Sequence, residues 1–181
     1  MRIKIPELHN VKWYLKPFFW WQKRKYGQVL NPALVWASNP KLFLTVASLY
    51  GALDSKKSPL SPILRSLITV RISQINWCEF CVDINSATLI KRSQSELKVQ
   101  ALSSWRDSNI YSAAEKAALD YAEKVTYSEQ QVDDSCFEEL KKHFNEKVII
   151  ELTALIAFQN LSSKFNSALD VAPQGFCKIT K

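Results

Sequence analysis

Residues 76–85 read NWCEFCVDIN and place two thiols three positions apart, at Cys78 and Cys81. A Cys-x-x-Cys pair serves disulfide exchange or supplies half of a metal site. On a helix, positions i and i+3 share a face, and Asn85, four residues beyond Cys81, continues it, with Thr88 one turn further. Glu79 and Asp83 point away from that face, so neither is a natural proton acceptor for a sulfur. The two imidazoles of the chain, His9 and His143, lie far off in sequence. Cys78 stands where the helix should begin, and there the unpaired amides and the macrodipole favour a thiolate. A disulfide across i, i+3 is geometrically allowed at a first turn, although two small buried hydrophobes would use the same residues. A zinc site needs two further ligands, and Cys136, Cys177 and His143 are scattered without ligand spacing, so no metal is expected.

The elements that hold this pair are announced by helix punctuation. Asn39-Pro40 and Ser61-Pro62 each set a capping side chain before a proline at the first helical position. Asn76 is expected to cap the cysteine helix, which should run to about Arg92. Ser93 with Glu96, and Ser112 with Glu115, read as capping boxes. Asp133 and Asp134 open a further helix that Lys141, Lys142 and His143 close, both ends matching the dipole. Asn145 then starts the long apolar run VIIELTALIAFQNLSSKF. Gln159, Asn160 and Asn166 on that run are expected to brace helix against helix, because buried polar groups need partners. Period-2 alternation is absent, so the chain is expected to be all-α, with about eight helices.

At 181 residues, 47% hydrophobic and 23% charged, the chain fits one well-buried domain over 1–181. Residues 1–53 read as a basic aromatic N-terminal extension with leading helices, and 54–181 as the helical core. The first part carries eight Lys or Arg against the single acid Glu7, whereas the second balances sixteen against sixteen. The whole net charge of +7 therefore sits in the N-terminal third. Residues 12–26 interleave Trp13, Tyr14, Phe18, Phe19, Trp20, Trp21 and Tyr26 with Lys12, Lys16, Lys23, Arg24 and Lys25. Such a mixture suits an anionic membrane surface, or an added layer on the core or at a subunit interface, and Pro17 interrupts any single amphipathic helix. Nucleic acid is not an expected partner, because the basic residues do not continue into the core. Three glycines cannot build a phosphate loop or a dinucleotide fingerprint, so no cofactor is expected. The apolar run near the start, VLNPALVW, is broken by Asn31 and Pro32, and no uncharged apolar stretch reaches spanning length. A reducing cytoplasm is the expected setting.

Four blocks in order carry a resemblance: LRSLITVRISQINWCEFCVDINSA, SAAEKAALDYAEKVT, VDDSCFEELKKHF and VIIELTALIAFQNLSSKFNSALDV. From Leu60 to Lys181 the chain resembles the carboxymuconolactone decarboxylase family, with its alkylhydroperoxidase-D-like fold, and the upstream KYGQVLNPALVWASNPKLFLTVASLYGAL is similar to that family's leading helices. The resemblance implies an all-α domain that assembles as a homo-oligomer, a trimer, hexamer or dimer. It implies a thiol pair that reduces peroxide or exchanges with a protein disulfide or dithiol partner. Redox members carry Glu, eleven residues, Cys-x-x-Cys, three residues, then His, with Glu and His relaying the proton. Cys78 and Cys81 match, but the Glu position falls on Ser66 and the His position on Asn85. Asn85 can orient a substrate or donate a hydrogen bond, yet it takes no proton near neutral pH. Acid–base help is worth ~10²–10⁴-fold, so a relay-driven peroxidase is not expected. Slow hydroperoxide reduction or disulfide exchange remains. The lactone chemistry lacks its base here. The alternative is a non-catalytic scaffold or membrane-surface member with structural cysteines. Arg71 could favour a thiolate or pair with a core acid, Cys136 should be core, and Cys177 in the tail could resolve an intermediate.

Overall fold

The computed structural model describes residues 1–178, and among them every regular element is helical. The chain order is α1 (Lys16–Tyr26), α2 (Asn31–Ala37), α3 (Pro40–Leu53), α4 (Pro62–Ile75), α5 (Glu79–Ser93), α6 (Leu97–Gln100), α7 (Ala113–Thr126), α8 (Asp134–Lys141) and α9 (Glu146–Ala168). Three short 3-10 turns complete the described residues. The fold is all-α as expected, with nine α-helices among the described residues rather than eight.

Most starts follow the local chemistry of the sequence. The side chains of Asn39, Ser61, Asp133 and Asn145 each accept the backbone N–H three residues on, and Ser112 and Glu115 satisfy each other in a full capping box. Two expected caps fail. Ser93 donates to the Leu89 and Ser95 carbonyls, and Gln94 turns left-handed at φ 54° to end α5. Asn76 closes α4 instead of opening α5. The Trp77 N–H donates to the Gln74 carbonyl at 3.2 Å and the Cys78 N–H to the Ser73 carbonyl at 3.1 Å, the paired bonds of a Schellman turn. Trp77 occupies the left-handed position of that turn, φ 54°, where glycine is usual.

The main core surrounds α4. Leu67, Ile68, Val70 and Ile72 have no exposed surface, and such residues cannot share one face, so α4 is covered all round by α5, α7 and α9. Helix α9 is long and apolar enough to cross a bilayer, but it packs against α3, α4, α5, α7 and α8 as a core helix. A buried ionic knot locks α4 to α7. Glu123 accepts from Arg71 Nε at 2.6 Å, Arg106 Nη1 at 2.6 Å and Trp105 Nε1 at 2.8 Å. Burial works to raise the Glu123 pKa, but those three donors prevail and hold it below the usual carboxylate value. Arg71 is therefore committed to a core acid.

A second apolar cluster builds the leading layer from Val11, Leu15, Phe19, Leu34, Ala37 and Phe43. Phe19 stacks on Phe43 with centroids 5.6 Å apart. Trp36 of α2 stacks on Phe165 of α9 at 3.7 Å, which fastens this layer to the core. The basic aromatic stretch is thus partly a packed layer, while Trp13 and Trp20 remain largely exposed.

Candidate active site: a thiol pair beneath an aromatic roof

The Schellman turn does more than end α4. Cys78 is both its last residue and the N-cap of α5, and its Sγ accepts the Cys81 N–H at 3.2 Å. A thiol thus takes the place usually held by Ser, Thr or Asp, and the helix start polarises it. Both sulfurs are buried, Cys78 at 1% exposure and Cys81 at 3%, in a small cluster with Phe80, Val171, Leu169 and Phe176. The Cys81 thiol and then its backbone N–H hydrogen-bond to Cys78 and hold the Cys78 pKa below the usual thiol value, against burial. Cys81 is displaced the other way, because it keeps the shared proton, is buried and faces the charge of Cys78. Cys78 is thus the more acidic thiol of the pair.

Cys81 forms part of the wall of a cavity of about 420 Å³. Its floor comes from α4, α5 and α9, with Ser66, Thr69, Asn85, Thr88, Gln159 and Asn166, and its roof from α1–α3, with Phe18, Trp21, Tyr26, Trp36, Phe43 and Tyr50. The structure brings Cys81, Asn85 and Ser66 to this one cavity, while Cys78 lies behind the wall. Neither relay position serves a sulfur. The Asn85 Nδ2 donates to Ser73 Oγ at 3.3 Å, and Ser66 Oγ accepts from Arg92 Nη1 at 2.9 Å. Arg92 also holds Asp54 at 2.8 Å and 3.0 Å.

The amide that reaches the thiols comes from α9. Asn166 Nδ2 donates to Cys81 Sγ at 3.3 Å, which leaves its Oδ1 buried with no partner in the protein. A buried acceptor left unpaired costs about 1–3 kcal/mol. Gln159 Nε2 donates to Ser73 Oγ at 2.9 Å, so Ser73 receives both Gln159 and Asn85. Of the three α9 amides, Asn160 does brace helices, donating to Thr126 Oγ1 and accepting from Asn76. Gln159 and Asn166 also link helices, α9 to Ser73 of α4 and to Cys81 of α5, and both line the cavity besides. Their spacing of seven residues, two helical turns, was the signal that they share a face.

The tail beyond α9 closes the far side. A second Schellman turn at Asp170 (φ 55°) reverses the chain and buries Val171 beside the thiols. Asp83 of α5 then collects three backbone N–H groups, Gln174 and Gly175 at 2.8 Å and Cys177 at 2.7 Å. The Gln174 side chain accepts from Asn31 N at 2.8 Å and donates to Gln28 Oε1 and Val29 O at 3.0 Å, so the strap also grips the lead-in to α2. Cys177 is half-buried and its backbone is anchored, which departs from a loose resolving tail. Cys136 is buried in the core, as its position on α8 suggested.

An all-helical fold with a Cys-x-x-Cys pair at the α4–α5 turn defines an alkylhydroperoxidase-D-like protein. Residues 40–124 match the model of the carboxymuconolactone decarboxylase family. The chain is 43% identical over 175 residues to the uncharacterised protein YnjA of Escherichia coli strain K12, across 97% of this chain and 96% of that one. An uncharacterised peroxidase-related protein from Ralstonia eutropha JMP134, with an alkylhydroperoxidase AhpD core, superposes with a TM-score of 0.86 at 26% identity, covering 96% of this chain and 92% of that one. The debrominase Bmp8 superposes with a TM-score of 0.83 at 25% identity, covering 94% and 91%. The chain belongs to the carboxymuconolactone decarboxylase family.

Proposed function

We propose that this protein is a thiol-dependent reductase in which Cys81 attacks a small electrophile held in the roofed cavity and Cys78 completes a disulfide. The observation that carries this reading is the division of labour within the pair: Cys81 lines the cavity, while Cys78, at the helix N-cap, is the more acidic thiol. Cys78 then acts as the base that Asn85 cannot be. For a hydroperoxide, the Cys81 sulfur takes the terminal oxygen, the O–O bond breaks, and the Cys81 proton passes by way of Cys78 to the leaving alkoxide. Cys81 is now a sulfenic acid and the alcohol departs. The Cys78 thiolate attacks the Cys81 sulfur, which releases hydroxide; with a proton from solvent this leaves as water, and the disulfide remains. A dithiol reductant restores the pair, which makes a reducing compartment such as the cytoplasm part of the reading.

Both halves of the similarity support a peroxidase-related role with a broader substrate range. One relative is peroxidase-related, and another is a debrominase, which suggests that the electrophile here need not be a peroxide. Homo-oligomerisation belongs to the same proposal, supported by exposed Leu42, Leu44, Ile150 and Leu161, and light scattering reads it directly. The central test is mild oxidation followed by mass mapping. A Cys78–Cys81 disulfide released by dithiothreitol is expected, with Cys78→Ser stopping at a Cys81 adduct. Thiols that stay reduced in the native protein would leave them as structural residues.

A further inference from the structure

Helix α1 has two different sides. Leu15, just before it, and Phe19 and Gln22 within it are buried, and Phe18, Gln22 and Tyr26 line the cavity. The opposite side is centred on Trp20, which is 65% exposed. At about 100° per residue, Lys16 and Arg24 flank it about 40° to either side, and Lys23 stands about 60° away. Trp13, 79% exposed, comes seven residues before Trp20 in the 3-10 turn that leads into α1. Leu15 joins that turn to the helix with right-handed backbone, so Trp13 falls on nearly the same side as Trp20. Pro17 does not interrupt this face after all: it sits in the first turn of α1, where a missing N–H costs nothing.

The charge on this side is uncompensated. Among the described residues, Lys12, Lys16, Lys23, Arg24 and Lys25 form no ion pair. Glu7 is the one acid of residues 1–53, and it lies 3.1 Å from His9. The Arg24 guanidinium rests 5.7 Å from the Trp20 ring centroid, so cation and indole share one patch. Water-exposed tryptophans set among cations match a bilayer interface, where indoles enter the headgroup layer and Lys and Arg meet anionic lipid. A second copy is a poor occupant, because a two-fold contact would press this cationic side against itself. Leu42 and Leu44 of α3 and Ile150 and Leu161 of α9 are exposed and uncharged, and suit self-association better.

We propose that the outer side of α1 docks on the surface of an anionic phospholipid bilayer, with Trp13 and Trp20 entering the headgroup layer and Lys16, Lys23 and Arg24 meeting lipid phosphates. The helix lies along the membrane plane and does not span it. Docking requires nothing of the thiols. Because the inner side of α1 lines the cavity, it sets the thiol chamber one helix away from the lipid.

Co-sedimentation of the full-length protein with phosphatidylcholine vesicles, with and without phosphatidylglycerol, tests this. Binding is expected only where phosphatidylglycerol is present. It should fall at least tenfold as the Debye length shrinks from about 10 Å at 0.1 M salt to about 3 Å at 1 M. A cation near such a surface is worth about fivefold, so joint Lys16→Gln, Lys23→Gln and Arg24→Gln should weaken binding about a hundredfold. Trp13→Ser with Trp20→Ser should weaken it about tenfold or more, because the inserted apolar area is lost. These five side chains lie outside the buried clusters, and the lipid and salt dependence of the unaltered chain decides the matter without any variant. Failure to sediment with phosphatidylglycerol vesicles, or equal binding to phosphatidylcholine alone, would overturn the proposal. So would full binding by the tryptophan variant, which would mark a bare charge patch that an acidic protein could equally meet. A fall in mass by light scattering on replacing the two tryptophans would place them in a subunit contact and overturn it too.

Discussion

Asp83→Asn should release the C-terminal strap and expose the thiols without unfolding the bundle. The carboxylate has one oxygen bonded to two N–H groups and the other to a third. An asparagine can keep its oxygen toward Gln174 and Gly175, but its NH₂ then faces the Cys177 N–H. One bond to a charged acceptor, about 1.5–3 kcal/mol, is lost, and the two others weaken to ordinary strength at about 1 kcal/mol apiece. The strap should therefore loosen by about 4 kcal/mol, which raises its undocked population about a thousandfold. Val171 and Phe176 leave the thiol cluster when the strap lifts. Labelling Cys78 and Cys81 with a bulky maleimide, followed by peptide mapping, should run ~10²–10³-fold faster than in the parent, whereas Cys136 in the main core keeps its rate. Thiol labelling within twofold of the parent would refute the claim that the strap seals the site.

Glu123→Gln strands Arg71 and Arg106 around a neutral side chain and should cost about 3–5 kcal/mol in urea unfolding. Because the Glu123 pKa is lowered on folding, its contribution is present above the usual carboxylate pKa and fades as pH falls through the lowered value; the glutamine variant should show a flatter acid limb. Burial pushes Cys136 up to about 11, so stability from its neutral form should be intact below pH ~9 and decline as pH rises toward 11, a slope that Cys136→Ala removes. Trp77→Gly should stabilise the protein by about 1 kcal/mol, since the tryptophan is 86% exposed and holds a left-handed conformation that glycine adopts freely; a lower urea midpoint would mean the ring does more than sit in solvent. Asn85→His with Ser66→Glu should give little gain in peroxidase rate, because Arg92 already sits 2.9 Å from Ser66 Oγ and would capture the new carboxylate; a rise above tenfold would show that the relay can be rebuilt.

The parts legible in the sequence were those decided within one helical turn. Asn39, Ser61, Ser112, Asp133 and Asn145 cap what they were expected to cap, because the donor and acceptor lie three residues apart. The α4–α5 turn was misread for a local reason as well: its Schellman signal is normally a glycine, and here a tryptophan fills the position. The thiol pair was plain, but its surroundings were not. Asn166 lies 85 residues from Cys81, and the roof reaches the thiols from residues 18–50 through stacking on α9. Such contacts depend on how α1–α3 settle on the bundle, which no short window encodes. Ser66 and Asn85 showed that the usual relay was missing; that Arg92 and Ser73 had taken those two side chains required three dimensions.

The clasp at Gln174 has a consequence for synthesis. Its side chain bonds Gln28 from 146 residues away, so the leading layer emerges from the ribosome long before its anchor exists. At roughly 5–20 residues per second, that interval lasts about 7–30 s. Through it Phe18, Trp21 and Trp36 have neither α9 nor the strap to rest against, and a nascent chain displays an aromatic surface beside a run of lysines. The reactive chamber cannot close around Cys81 until residues 174–177 are made, so a product that stops before Gln174 carries both cysteines but no enclosed site for them to act in.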